Sequence, residues 1–226
     1  MTRNRPPDQP ARILDAAELL FAELGIRYTT VADVANRARV APATVYHYFE
    51  NKEALFGWTI VRAWEPDVAV PIELPLSAPT DLRTRVWDQA FDLKRQFPRL
   101  HAAARRPTFS AEELGALVAE TFEVNVRLRR LIDLLEASRA DDEDLWALYR
   151  DAVHDPLFAL RRRYLAAGQR AGRIASHLDV DVLAEIFAVN VGFYARVWRR
   201  QFPVLELDDD ARLEVLTERL RRAIES

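Results

Sequence analysis

The chain contains no cysteine. That single absence removes disulfides, thiolate metal sites and cysteine nucleophiles together, and it suits a cytoplasmic protein. Glycine is scarce, with 6 in 226 residues, and cleanly alternating strand patterns are hard to find. Ala, Leu, Arg and Glu dominate instead, so helix is favoured along nearly the whole length. Lysine is almost missing: Lys52 and Lys94 leave 30 of the 32 basic residues to arginine. No apolar run approaches the roughly 18 residues of a membrane-spanning helix. The first residues, Met1 to Pro7, lack the apolar core of a signal peptide, so a soluble cytoplasmic protein without a membrane partner is expected.

Catalytic signatures are missing as well. There is no HExxH, no glycine-rich phosphate loop and no GxSxG. His47, His101, His154 and His177 stand far apart and without metal-ligand spacing. The sequence therefore predicts no catalytic residue, no metal and no cofactor. Charge decides little. Residues 1–62 carry 8 basic against 7 acidic residues, and the remainder carries 24 against 28, giving the net charge of −3. Any contact with nucleic acid must come from a few placed groups and not from a basic surface.

What the chain does have is helical periodicity. Ile13, Leu14, Ala17, Leu20, Phe21 and Leu24 recur at spacings of three and four, and Gly25 follows as a stop. Thr29 and Thr30 offer hydroxyl caps for a short second helix from Val31. Pro42 opens a third helix to about Phe49, and Asn51 caps a fourth to about Trp64. Prolines 66, 71, 75 and 79 then impose an extended linker, with Val68, Val70, Ile72, Leu74 and Leu76 on one side. It either packs on the helices or serves as an arm. Further helices are expected over 80–97, 110–138, 142–171, 180–202 and 208–224. Ser110 with Glu113 reads as a capping box, and Asp155-Pro156 as a kink or a new start with Asp155 as cap. The fold class is all-α.

Two short helices, a tight turn and a third helix bearing hydroxyls and aromatics describe a helix-turn-helix. Val34, Ala35, Val40, Val45 and Phe49 supply its core. Ala43, Thr44, Tyr46, His47 and Tyr48 then face away from that core. Hydroxyls and imidazole suit phosphates or base edges, and small residues allow close approach to thymine methyls. Lys52, in the first turn of the fourth helix, is mildly unfavourable against the helix dipole and is better explained by a nearby anion, phosphate above all.

The run from Thr29 to Phe56, with its Thr-Thr pair and Tyr46-His47-Tyr48-Phe49 followed by Lys52, resembles the N-terminal signature of the TetR family of bacterial regulators. The first helix, with Ile13 to Ala17 and Leu20 to Gly25, is similar too. The resemblance implies a helix-turn-helix DNA-binding domain over 9–56, with a connecting helix to about 64. Behind it, over 66–226, it implies a helical ligand-binding and dimerisation domain. Thr44, Tyr46, His47 and Tyr48 are implied to face a double-stranded DNA operator, with phosphate contacts from Lys52 and Thr30. Two departures stand out: Arg39 replaces the usual turn glycine, and Ala41 replaces the usual Ser or Thr cap. Arg39 could recover a phosphate contact, as could Arg3 and Arg5 in an N-terminal arm.

The rest of the chain supports a homodimer through the last two long helices. Leu183, Ile186, Phe187, Val191, Phe193, Tyr194, Val197 and Trp198 cover more than one helix face, and Leu213, Leu216, Leu220 and Ile224 stripe the last helix. Polar residues inside apolar stripes, Thr121, Asn125 and Asn190, are candidates for binding a small molecule, with His154 before the Pro156 kink. Each could equally be satisfied by a neighbouring helix. The surrounding aromatics favour an apolar or aromatic effector. An enzyme, or a helical module that binds a protein partner, are the readings from other classes.

Overall fold

The computed structural model describes residues 9–68, 73–80, 86–197 and 208–225. Arg3, Arg5, Val70, Ile72, Trp198 and the side chain of Ile224 lie outside the described residues. Every element among them is helical, apart from one isolated parallel bridge between Phe49 and Leu76. None of these helices is long and apolar enough to cross a membrane.

By contacts the chain forms two compact units. Met1–Phe91 and Arg130–Tyr149 make one, and Asp92–Arg129 and Arg150–Ser226 make the other. In the first, α1 (Gln9–Tyr28), α2 (Val31–Ala38), α3 (Pro42–Tyr48) and α4 (Lys52–Trp64) form the head. Ile13, Leu14, Ala17, Leu20 and Phe21 are buried as the spacing requires. Leu24 is exposed, because backbone at Gly25 leaves the helix (φ 80°, ψ 172°) before the last turn resumes. Phe21 meets Phe56 edge to face at 5.1 Å, joining α1 to α4. Asn51 caps α4 by accepting the Ala54 amide at 2.7 Å, as expected.

The end of the proline-rich stretch, from Leu76 to Pro79, packs on the head. The Leu76 amide donates to the Tyr48 carbonyl at 2.8 Å, and the Glu50 amide donates to the Leu76 carbonyl at 2.9 Å. Leu76 is buried, and the Trp58 indole donates to the Ser77 carbonyl at 3.0 Å. Gly57 leaves room for Pro79, whose Cδ would lie 2.6 Å from any Cβ there.

Beyond the linker the long helices expected from sequence are interrupted. Asp88–Ala90 (α5) and Leu93–Gln96 (α6) are separate, since the Asp92 side chain accepts the Arg95 amide and starts a new turn. Pro98–Ala103 (α7) follows. The stretch expected over 110–138 is Ala111–Arg127 (α8) and Arg129–Ala137 (α9), broken at Leu128 (φ −93°, ψ 8°), with a 3₁₀ turn at Ser138–Ala140. Ser110 caps α8, but Glu113 completes no box. Its carboxylate instead accepts the Thr108 and Phe109 amides and the Tyr164 hydroxyl. Glu143–Tyr149 (α10) leads into a π-helical turn at Arg150–His154 and then Asp155–Arg170 (α11). Asp155 is therefore no cap: the extra residue of the π turn absorbs Pro156, and the Asp155 carboxylate meets the His154 ring at 2.8 Å. Val180–Gly192 (α12) runs into a second π turn at Phe193–Val197, and Asp209–Glu225 (α13) closes the described chain.

Glu120 on α8 is the buried carboxylate of the second unit. It accepts the amides of Arg99 at 2.8 Å and Leu100 at 3.0 Å, satisfying the start of α7. Burial raises its pKa above the usual glutamate value, against the lowering effect of the two amides.

Two predictions follow from these local conformations. Arg39 is left-handed (φ 55°, ψ 49°), and Ala41 makes no side-chain cap to α3. Arg39→Gly and Ala41→Ser should each stabilise the head by about 1 kcal/mol, raising its melting temperature by roughly 2–4 °C in a thermal scan. For Glu120, the raised folded-state value favours folding most below the ordinary glutamate pKa, and the contribution is lost as pH rises through the folded value. Urea titrations from about pH 4 upwards should show wild-type stability falling relative to Glu120→Gln. Parallel pH profiles would refute the coupling.

Candidate nucleic-acid interface

The head is organised around the end of α1. The Thr29 hydroxyl, buried, donates to the carbonyls of Gly25 at 2.8 Å and Leu20 at 3.1 Å. It thus finishes α1 and does not cap α2. Thr30 performs the second task with Asp33 in a reciprocal box: Thr30 accepts the Asp33 amide at 3.1 Å, and the Asp33 carboxylate accepts the Thr30 amide at 3.0 Å. These bonds to Thr30 hold the Asp33 carboxyl below its usual range.

The turn between α2 and α3 closes on backbone bonds from Arg39 to Asn36 and from Val40 to Ala35. The Arg12 guanidinium donates to the Ala38 carbonyl at 2.8 Å and so covers the end of α2. The Arg39 side chain is exposed beside this turn. Pro42 starts α3, whose inner face is Val45 and Tyr48, with Phe49 buried just after it.

The opposite face carries Ala43, Tyr46 and His47, all exposed, with Thr44 half-buried at its edge. Tyr46 is 52% exposed, among the large hydrophobic side chains left open to solvent. This is the placement that the sequence predicts for four of the five. Tyr48 is the correction: its ring is buried, His47 packs edge-on against it at 5.1 Å, and its hydroxyl donates to Gln9 Oε1 at 3.3 Å. Three residues separate Tyr48 from Val45, so helical spacing places both on the core side.

Lys52 also has a protein partner that the sequence did not reveal. Its ammonium donates to the Ile26 carbonyl at 2.9 Å, fastening the start of α4 to the end of α1. An ammonium has three donors, so this bond leaves two for an anion. The dipole argument for phosphate is correspondingly weaker, since the carbonyl already compensates the cation.

A second set of contacts was invisible in the local pattern. The carboxylate of Asp141 accepts the Arg27 amide at 2.8 Å. Gly25 suits this place: its φ is positive, and a Cβ there would lie 2.8 Å from Asp141 Oδ2, so the carboxylate that holds Arg27 would have to shift. Arg130 forms a paired contact with Glu18, with Nε to Oε1 at 2.6 Å, and Asp15 lies between Arg130 and Arg62. Residues 130–149 thus pack on α1.

The residues expected to hold a small molecule are not brought together. The Thr121 hydroxyl donates to the Leu117 carbonyl of its own helix. Asn125 donates to the Thr121 carbonyl and accepts Arg196 Nε at 3.1 Å. Asn190 donates to the Ile186 carbonyl, on the outward side of α12. His154 is exposed, between Asp155 and Glu185. Within the second unit these are two places: the inner side of α8, and the surface of α11 and α12.

Comparison with known proteins agrees with this geometry. Residues 13–57 match the model of the bacterial regulatory proteins of the tetR family. The HTH-type transcriptional repressor KstR2 of Rhodococcus jostii is 46% identical over 56 residues, a match spanning 25% of this chain and only 27% of that protein. The HTH-type transcriptional repressor Rv1474c of Mycobacterium tuberculosis is 30% identical over 175 residues, covering 75% of this chain and 88% of the relative. Among solved structures, AibR in complex with isovaleryl coenzyme A and operator DNA shares the fold, with a TM-score of 0.54 at 18% identity over 94% of this chain and 97% of AibR. A head built as the motif requires, and a relative matched along most of its length, lead to one conclusion: the chain belongs to the TetR family of bacterial transcriptional regulators.

Proposed function

We propose that this chain is a repressor that binds a palindromic operator as a homodimer and responds to a small apolar or aromatic effector, acting in the cytoplasm. The observation that carries the reading is the outer face of α3. Ala43, Thr44, Tyr46 and His47 lie away from a core that fixes the helix from behind through Val45, Tyr48 and Phe49. These four read the major groove over the domain 9–56, Thr30 and Lys52 meet phosphate, and Tyr48 contributes through its hydroxyl alone. The repressor names of KstR2 and Rv1474c support the direction of regulation. The AibR complex supports a ligand and an operator served by one such fold.

The dimer contact in this reading centres on α12. Leu216 and Leu220 of α13 are buried within their own unit. Among the described residues an apolar stripe is open on α12, where Val182, Ile186 and Val189 are exposed, with Phe158 of α11 half-buried beside them, while α13 exposes Val215. Arg162 with Asp181, and His154 with Glu185, flank it with both signs of charge. A second copy related by a two-fold axis covers the stripe with itself and sets opposite charges across its rim.

Mapping the purified protein across its own genome, beginning with the DNA beside its gene, tests the function. A sequence-specific site whose affinity falls steeply with salt is expected. Lys52→Ala should lower that affinity and reduce the log–log salt slope by about one. Ile186→Glu should yield a monomer by sedimentation, with operator affinity lost at protein concentrations where the wild type binds. Absence of any salt-sensitive, specific site would sink the proposal.

A further inference from the structure

Two tryptophans of the first unit are nearly fully buried, and they differ in one respect. Trp58 donates its indole N–H to the Ser77 carbonyl. Trp87, 4% exposed, has a buried indole N–H with no hydrogen-bond partner. Leaving such a donor unsatisfied costs about 1–3 kcal/mol, and native chains seldom tolerate it without a reason. Its neighbour Phe91 offers only a ring, a second-order acceptor at best.

The donor stands at the inner end of a row of rings. Trp87 meets Phe91 at 5.4 Å, Phe91 meets Tyr149 at 5.8 Å, and Tyr149 meets Trp146 at 5.4 Å. Trp87 and Phe91 are buried, whereas Tyr149 and Trp146 are half-exposed, so the row opens to solvent at its outer end. The Arg139 guanidinium lies over Trp146 at 5.1 Å, at that open end. No cation is seen against Trp87 or Phe91 among the described residues. A charged group taken to the inner end would be desolvated against rings, with no counter-ion among the described residues.

We infer that this row of rings is an effector site, in which the Trp87 indole donates to the carbonyl-type acceptor of an uncharged, ring-containing apolar molecule. The inference rests on the reading of the chain as an effector-responsive regulator, and it places the site in the unit that contains the head. Its route to the head is short. Tyr149 and Trp146 belong to α10, and the turn just before α10 carries Asp141, which holds the Arg27 amide at the end of α1. A molecule that spreads the rings displaces the segment that grips α1.

The test uses the full chain and the neutral naphthyl ketone prodan, with its ketone-free parent dimethylaminonaphthalene as control. Prodan should bind saturably at one site per chain, and the Trp87 indole proton resonance, identified by its loss in Trp87→Phe, should move downfield. Trp87→Phe should weaken prodan binding about tenfold, the effect of one buried hydrogen bond. Dimethylaminonaphthalene should bind both proteins alike, which also shows that the variant is folded. Three results would each overturn the site: no saturable binding of prodan, equal affinity in both proteins, or a Trp87 proton already hydrogen-bonded in the free chain. Operator binding separates the two levels. If both proteins hold the operator while prodan fails, only the site is lost. If prodan behaves as expected but neither protein binds a specific DNA site, the regulator reading falls instead.

Discussion

The end of α1 is the constraint on which the first unit depends. At Gly25 the backbone leaves the helix, in a conformation and a space that disfavour a side chain. Three separate parts of the chain then use the groups so exposed. Thr29 takes the last helical carbonyls, Lys52 takes the Ile26 carbonyl, and Asp141 takes the Arg27 amide. These bonds satisfy a helix terminus that would otherwise need water. They also fix the directions in which α2 and α4 depart and in which residues 130–149 return. A small backbone event thereby orients most of the unit.

Charge plays a related structural part. Asp15 and Glu18 on α1 face Arg62 on α4 and Arg130 on α9. Single exposed pairs of this kind contribute little. Here one bidentate contact and shared partners make a small network, and the Glu18 carboxylate raises the Arg130 pKa further above its already high value. Arginine suits this use better than lysine, since its planar fork can meet two carboxylates at once. The near absence of lysine therefore has a structural counterpart, whatever its origin in composition.

Much of the head was legible in the sequence because its signals are local. Caps at Thr30 and Asn51, the stop at Gly25, the proline at the start of α3 and the three-four spacing of its core all act within one turn of helix. The left-handed Arg39 and the uncapped Ala41 drew notice only through the family resemblance, as departures from its usual glycine and cap. The interruptions were less legible. Breaks at Phe91–Asp92 and Leu128, and the π turns before α11 and after α12, leave the apolar periodicity nearly intact while changing the phase of each helix. Tyr48 was misjudged because an amphipathic side chain fits either face; the register with Val45 decides, not its chemistry. The partners of Lys52, Gly25 and Trp87 come from distant sequence, or fail to come at all, and no spacing rule reports that. Thr121, Asn125 and Asn190 show the reverse: a polar residue inside an apolar stripe can be satisfied by a carbonyl of its own helix.

The bridge between Leu76 and the end of α3 has a mechanical consequence. The chain leaves α3 just before Glu50, runs out along α4, and is brought back to Glu50 and Tyr48 by two backbone hydrogen bonds at Leu76. The path from Glu50 to Leu76 is therefore a closed ring, with α4 as one limb and the proline-rich return as the other. Just past the closure, the Ser77 carbonyl accepts the indole N–H of Trp58 and ties the return to α4 a second time. A helix inside such a ring is a braced strut and not a free lever. A tilt of α4 is thereby coupled to α3, so a push received along the strut reaches the exposed side chains of α3.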